Sequence, residues 1–406
     1  MNILLINHYA GSTEMGMEFR PYYMAQEWIK LGHKVDIIAG DYSHLRKVNP
    51  TVRDDFETEQ IDGITYHWIK TGTYEGNGVK RAITMFRFVG KLWMHASEIV
   101  KKIKPDVVIA SSTYPIDTFA AQRIARKAKA KLIHEVHDMW PATLIELGGM
   151  SKYNPFVIVM QMGENSAYRN SDAVVSLLPN AKEYMMKHGM AGEKFFCIPN
   201  GIVLDDWENP SDLPEMHKKV FEKYRNEKKI IIGYFGGHAL SNALDTLVDT
   251  AREMNNSKDI LFVLVGDGVE KQRLQKKAEG LKNILFLPPV AKKSIPTLLK
   301  EFDCVYIGAK NSSLYRFGTS MNKVYDAMMG KKPILYAVND PENYVKKYHC
   351  GVSVEPENKD ALKDGIEQMI HFTTEKRKKM GNNGYEAVMN NFEYRVLANK
   401  FLKLME

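Results

Sequence analysis

Short apolar runs alternate with stretches of helical period along nearly the whole chain, and this alternation limits the fold more than any other feature. In the first half the runs are Ile3–Ile6, Val35–Ala39, Ile64–Ile69, Asp106–Ala110, Leu132–Val136, Ala173–Leu177 and Phe195–Ile198. In the second half they are Ile230–Phe235, Ile260–Val265, Ile284–Leu287, Cys304–Gly308 and Pro333–Ala337. Strands that are apolar throughout need cover on both faces, and the intervening helices supply it. Each half is therefore predicted to be an α/β domain built on a parallel sheet. A chain of 406 residues also exceeds one ordinary core, which favours two or three domains.

Composition excludes several classes. Hydrophobic residues make up 44% and charged residues 26%, as in soluble globular proteins. The net charge of +7 is modest and unfocused, and no nucleic-acid-binding motif accompanies it, so no nucleic-acid partner is expected. Cys197, Cys304 and Cys350 are odd in number and far apart, which favours buried thiols in a reducing compartment over disulfides or a zinc site. The opening MNILLINHYAG has no basic n-region and no long apolar h-region, and no run of 18 apolar residues occurs, so a cytoplasmic location is expected.

Most of the chemistry gathers in Phe317–Pro333, FGTSMNKVYDAMMGKKP. It reads as a polar loop entering a helix that Thr319 or Ser320 can cap and that Gly330 and Pro333 end. Free backbone N–H groups at such a helix start, with Lys323 beside them, form an anion site, and Asp326 lies about one turn further in, placed to take a hydroxyl. Two glycine loops close neighbouring strands: Gly236-Gly237-His238 and Gly266-Asp267-Gly268. Loops at successive strand ends of one sheet imply a nucleotide, with diphosphate and ribose as the ligand pair. In the first half, the loop HYAGSTEMGMEFRP lacks Gly-x-Gly-x-x-Gly, but Gly11 and Gly16 let a ligand approach its backbone. His137 and Asp138, just past a strand end, are candidate catalytic residues.

Two stretches carry competing readings or mark a boundary. Residues 80–104 place Ile83, Phe86, Val89 and Trp93 at helical spacing beside Lys80, Arg81, Arg87, Lys91, Lys101, Lys102 and Lys104. Such a helix, bearing also Phe88 and Leu92, rests either on an anionic membrane surface or on the core with a solvated basic face. Residues 204–229 are polar, contain Pro210 and Pro214, and read as the connection between domains.

Taken together, the chain resembles a retaining GT-B glycosyltransferase of family 4, the group that builds bacterial surface polysaccharides. The resemblance covers nearly the whole chain and rests on Ile198-Pro-Asn-Gly-Ile202, Gly266-Asp-Gly268, and Ser320-Met-Asn-Lys-Val-Tyr-Asp-Ala-Met328 with Gly330 and Pro333. The Gly-Met-Glu-Phe-Arg-Pro loop and His137-Asp-Met-Trp-Pro141 are closer to the O-antigen and capsule N-acetyl-fucosaminyltransferases. The resemblance implies two Rossmann-like domains facing each other across a cleft: an acceptor domain over 1–203, a donor domain over 204–385, and a terminal helix over 386–406 crossing back to the first. It implies transfer of a sugar, an N-acetylated hexose or deoxyhexose, from a UDP-sugar to a lipid-linked or saccharide acceptor. Donor contacts would come from Gly236, Gly237, His238, Gly266, Asp267, Gly268, Arg316, Ser320, Asn322, Lys323 and Asp326, with Asp326 on the ribose. Gly11, Gly16 and Glu18 would border the acceptor, and Asp138 and His137 would orient acceptor or sugar hydroxyls.

This chain also departs from the family pattern. Gly318 stands where the first Glu of Glu-x7-Glu would help hold the donor sugar. The Arg and Lys that commonly follow the first glycine loop of the donor domain are absent from Gly237-His-Ala-Leu-Ser-Asn242, leaving Lys323, Arg316 or Lys310 to balance the diphosphate. No Asp-x-Asp occurs, so neither a metal nor any other cofactor is expected. A nucleotide-sugar 2-epimerase and a non-catalytic nucleotide-sugar-binding protein are the rival readings.

Overall fold

The predicted strands assemble into two sheets, one in each of two units of the computed structural model, which describes residues 1–16, 19–76 and 78–406. The first unit comprises Met1–Asn200 with Tyr394–Glu406, and the second Gly201–Glu393. The sequence boundaries at 203/204 and 385/386 compare with 200/201 and 393/394.

Eight strands form the first sheet: β1 (Asn2–Ile6), β2 (Lys34–Gly40), β3 (Glu57–Ile61), β4 (Ile64–Ile69), β5 (Val107–Ala110), β6 (Lys131–Val136), β7 (Ala173–Ser176) and β8 (Phe195–Cys197). Their order is β3-β4-β2-β1-β5-β6-β7-β8, and every pairing is parallel except β3 with β4. Ile3 pairs with Val35 on one side and with Val107 on the other, so the strand order reverses at β1. Ligands of doubly wound sheets bind outside the strand ends at such a reversal. The antiparallel β3, ETEQI, is a solvent-exposed edge strand that lacks the apolar signature.

The second sheet holds β9 (Ile230–Phe235), β10 (Ile260–Val265), β11 (Ile284–Leu287), β12 (Cys304–Gly308), β13 (Ile334–Ala337) and β14 (Gly351–Ser353), all parallel, in the order β11-β10-β9-β12-β13-β14. Here the reversal is at β9. It pairs with β10 over six residues but with β12 only through Ile232 and Gly233. The unpaired ends of β9 and β12 open a crevice at the switch point.

Three expectations are corrected. The helix read over 80–104 is two, Val79–Met94 and Ala96–Ile103, and the first buries Met85, Phe88 and Leu92. Burying a Phe or Leu is worth about 2 kcal/mol, so Phe88 and Leu92 belong to the core and not to a membrane face. Residues 204–229 are not an open connection. They contain the helix Glu215–Asn226, whose Phe221 packs into the second unit's core with Leu213. The loop read as HYAGSTEMGMEFRP ends sooner, because a helix begins at Phe19 with Pro21 in its first turn, where a missing N–H costs nothing. That helix packs within the first unit against Tyr394–Leu402, with the Trp28 and Phe401 rings 5.3 Å apart.

Candidate active site

In the second unit the glycine loops after β9 and β10 are stitched together. Gly236 N donates to Val265 O at 3.0 Å, His238 N to Asp267 O at 2.7 Å, and Glu270 N to His238 O at 3.0 Å. Glycine is required by this close approach: a Cβ on Gly266 would lie 1.9 Å from Gly236 O, and one on Gly268 2.5 Å from His238 O. Gly237 is exposed and a Cβ there would meet nothing within 4 Å, so that side of it is open, while its carbonyl oxygen accepts from Tyr234 OH at 2.6 Å and Asn242 Nδ2 at 2.8 Å. Asp267 is exposed, its carboxylate accepting from Gly268 N at 2.9 Å. His238 is fully buried between the Tyr234 and Phe286 rings, and burial, with Lys271 adding to it, lowers its pKa to about 4.

Across the crevice stands the helix Asn322–Met329. Its N-cap is Met321 and no side chain caps it, which corrects the expectation for Thr319 and Ser320. Thr319 Oγ1 instead donates to the Asp340 carboxylate at 2.6 Å, in a buried pair that Tyr336 joins, and Ser320 Oγ lies 3.4 Å from Tyr325 OH. Val324 N donates to Met321 O at 3.0 Å, which leaves the N–H groups of Asn322 and Lys323 as the ones this helix start offers. Asn322 is exposed at this start. Lys323 reaches back over the β9 loop: its Nζ donates to Asn242 Oδ1 at 2.8 Å and to Tyr234 OH at 3.1 Å, and its Cδ lies 3.3 Å from where a Cβ of Gly236 would be. Burial lowers its pKa to about 8. Asp326, half-buried one turn on, has no side-chain hydrogen-bond partner among the described residues. Burial raises its pKa to about 7 against the pull of Lys292.

Of the three candidate cations, only Lys323 overhangs the loops. Lys310 is paired with Glu357 at 2.7 Å, and the Arg316 guanidinium donates to Ser313 O and lies 4.2 Å from the Phe317 ring centre. The sequence reading missed Lys271, whose Nζ donates to Gly266 O at 2.6 Å, and the two residues that hold Lys323. Lys271 follows Gly268 by three residues, which was the available signal.

In the first unit His137 and Asp138 follow β6 and serve different partners. His137 Nε2 lies 2.9 Å from Ser111 Oγ and 3.1 Å from Glu135 Oε2. Glu135 is buried, and Ser111 Oγ donates to its Oε2 at 2.6 Å while Arg20 Nε donates to its Oε1 at 3.0 Å. Burial alone would raise the Glu135 pKa, but Arg20, His137 and Ser111 outweigh it and hold the carboxyl well below its usual range. Arg20 also donates to Ile198 O and Pro199 O, tying the first helix to the end of β8. Arg20 and Glu135 were not foreseen, although a glutamate inside the apolar run KLIHEV marks a charge that needs a partner. Asp138 Oδ1 accepts from Met139 N and Thr143 Oγ1, both at 2.8 Å, so part of its carboxylate holds the following turn. A small cavity beside them is lined by Thr113, Glu135, His137, Asp138 and Trp140, among others. Gly11 and Gly16 are buried, Gly11 under Arg46 and Gly16 beside Lys47. Glu18 lies outside the described residues.

Sequence comparison matches residues 15–206 to Glycosyltransferase Family 4 and residues 216–387 to Glycosyl transferases group 1. No curated protein matches the chain by sequence. Among solved structures, a glycosyltransferase from Rickettsia africae is similar at a TM-score of 0.68 and 18% identity, over 99% of this chain and 97% of that one. HepE from Anabaena, solved in complex with UDP, is similar at 0.67 and 15%, over 99% of both chains. WaaG, a glycosyltransferase involved in lipopolysaccharide biosynthesis, is similar at 0.65 and 14%, again over 99% of both. The two family matches meet on the two units that carry these sites, and the chain belongs to the glycosyltransferases they describe.

Proposed function

We propose that the protein transfers a sugar from a UDP-sugar, with retention of configuration and without a metal, to a lipid-linked or saccharide acceptor in bacterial surface polysaccharide synthesis. The observation that carries this reading is Lys323, fixed by Tyr234 and Asn242 above two glycine loops and beside an uncapped helix start. As the glycosidic bond breaks, the departing diphosphate gains charge, and preorganised N–H dipoles with one cation stabilise it. The Lys323 ammonium and the backbone N–H groups of Asn322 and Lys323 take that part. Gly237 gives the diphosphate access to backbone, and Asp326 takes the ribose hydroxyls. The HepE complex with UDP supports a uridine nucleotide, and the role printed for WaaG supports a surface polysaccharide.

His137 and Asp138 orient the acceptor or sugar hydroxyls, and Glu135 fixes the imidazole edge that faces Ser111. The donor is an N-acetylated hexose or deoxyhexose of the kind used by O-antigen and capsule enzymes, and the protein works on the cytoplasmic face of the membrane. Among the described residues no helix is long and apolar enough to cross a membrane, and the membrane contact proposed is a peripheral one. The test is a panel of UDP-sugars incubated with lipid-linked saccharides, with and without EDTA. Transfer that survives EDTA and keeps the anomeric configuration is expected. Donor epimerised without acceptor, or donor bound without turnover, would replace this reading by one of its rivals.

A further inference from the structure

A second cavity in the first unit has a different chemistry from the site at His137. It is a groove of about 890 Å³ walled by Met85, Trp140, Leu144, Leu147, Met150 and Phe156. That volume lies within the roughly 300–1,000 Å³ typical of small-molecule sites. Three residues, Thr113, Asp138 and Trp140, line both this groove and the small cavity beside His137, so the two are neighbours that share a wall. The groove therefore borders the place where an acceptor hydroxyl would be oriented.

Its charges are few. Arg81 is the one cation among the lining residues and Asp138 the one anion, and Asp138 belongs to the junction. Arg81 is held in place by Tyr9, donating from Nε to the phenol oxygen at 3.2 Å with its guanidinium 5.3 Å from the ring centre. The walls remain open to solvent: Leu147 is 64% exposed and Val79 77%. An apolar groove with one positioned guanidinium suits a ligand with an apolar chain and one anionic group.

We propose that this groove holds the apolar chain of a phosphate-bearing lipid acceptor, with the phosphate at Arg81 and the saccharide end at the Asp138 junction. The inference rests on the acceptor reading given above and names where the acceptor's lipid lies. A bilayer surface is the weaker occupant. Arg87 donates to Thr71 O at 2.6 Å and Lys91 pairs with Asp55 at 2.7 Å, so two of the cations on the helix Val79–Met94 are engaged by the fold. The apolar side chains Met85, Leu144 and Phe156 line a concavity, and a planar headgroup layer cannot enter one.

Farnesyl phosphate, titrated below its micellar concentration, is the probe, and Trp140 in the groove wall supplies the fluorescence signal. Saturable binding is expected. Leu144→Asp and the exposed Leu147→Asp should each weaken it at least tenfold, and Arg81→Gln at least threefold. Leu147 is exposed enough that its replacement leaves folding intact, and UDP binding by calorimetry should stay unchanged in that variant. Affinity for farnesyl phosphate that survives both Asp substitutions overturns the proposal. So does binding seen only with phosphatidylglycerol vesicles, which would assign this face to a bilayer. Failure of the wild-type protein to bind UDP would instead overturn the donor reading and leave the groove measurement standing.

Discussion

Asp326→Asn should make the protein more stable at alkaline pH and worse at binding its nucleotide. The Asp326 carboxyl titrates at about 7 in the fold because it is buried, against an ordinary 3.8. A raised folded-state pKa means that the fold holds the proton more tightly than the unfolded chain does. Stability is therefore lost as pH rises from about 4 through 7, and the full penalty applies above both values. At 1.36 kcal/mol per pH unit the gap amounts to about 4 kcal/mol as a ceiling, and about 2 kcal/mol after discounting for the solvent that reaches this half-buried group. Asparagine has no charge to bury, so urea denaturation should find the variant about 2 kcal/mol more stable than wild type at pH 8 and equal to it at pH 4. Natural proteins keep such strain where function needs it. A ribose hydroxyl bonded to a carboxylate contributes about 1.5–3 kcal/mol, so calorimetry at pH 8 should show UDP binding at least tenfold weaker in the variant. A variant less stable than wild type at pH 8, or one with unchanged UDP affinity, would refute the assignment.

Lys323 sets the other side of the pH window. With its pKa lowered to about 8 by burial, it carries its charge below that value and loses it above. UDP affinity should therefore peak between about pH 7, where Asp326 ionises, and pH 8, and Lys323→Met should weaken binding at least tenfold at pH 7 and abolish the alkaline fall. Two glycines separate folding from binding. Gly237→Ala meets no neighbouring atom and should melt like wild type while losing UDP affinity by titration. Gly268→Ala puts a Cβ 2.5 Å from His238 O at a φ of +152°, which costs about 1–3 kcal/mol, and its thermal unfolding should shift down by several degrees.

The parts of this protein that were legible in the sequence are the parts encoded locally. Apolar runs such as Ile230–Phe235 and Ile260–Val265 announce buried parallel strands because nothing in them alternates. Glycine at strand ends announces the loops because close backbone approach admits nothing larger: at position 266 a Cβ would fall 1.9 Å from a carbonyl oxygen. What stayed hidden depends on residues distant in sequence. Arg20 meets Glu135 across 115 positions, and Lys323 meets Asn242 across 81. The edge strand β3 was missed for the opposite reason: its exposed polar residues carry no burial pattern. Periodicity alone left the basic stretch over 80–104 with two readings, and burial decides for the core: Met85, Phe88 and Leu92 are buried while Lys80, Lys101, Lys102 and Lys104 stay exposed.

The departure at Gly318 takes on a different meaning once the backbone is known. Its φ of 87° and ψ of −179° fall in a region essentially open to glycine alone. The next residue, Thr319, is pinned by its buried hydrogen bond to Asp340, so the loop cannot relax to suit a larger side chain at 318. A glutamate there would require a different loop and not merely a different side chain. The absence of the family's sugar-holding carboxylate is therefore built into the path of the chain between β12 and the helix Asn322–Met329. Under the proposed function, recognition of the donor's sugar then falls to groups other than residue 318, with Lys323, the helix start and the two glycine loops left for the nucleotide.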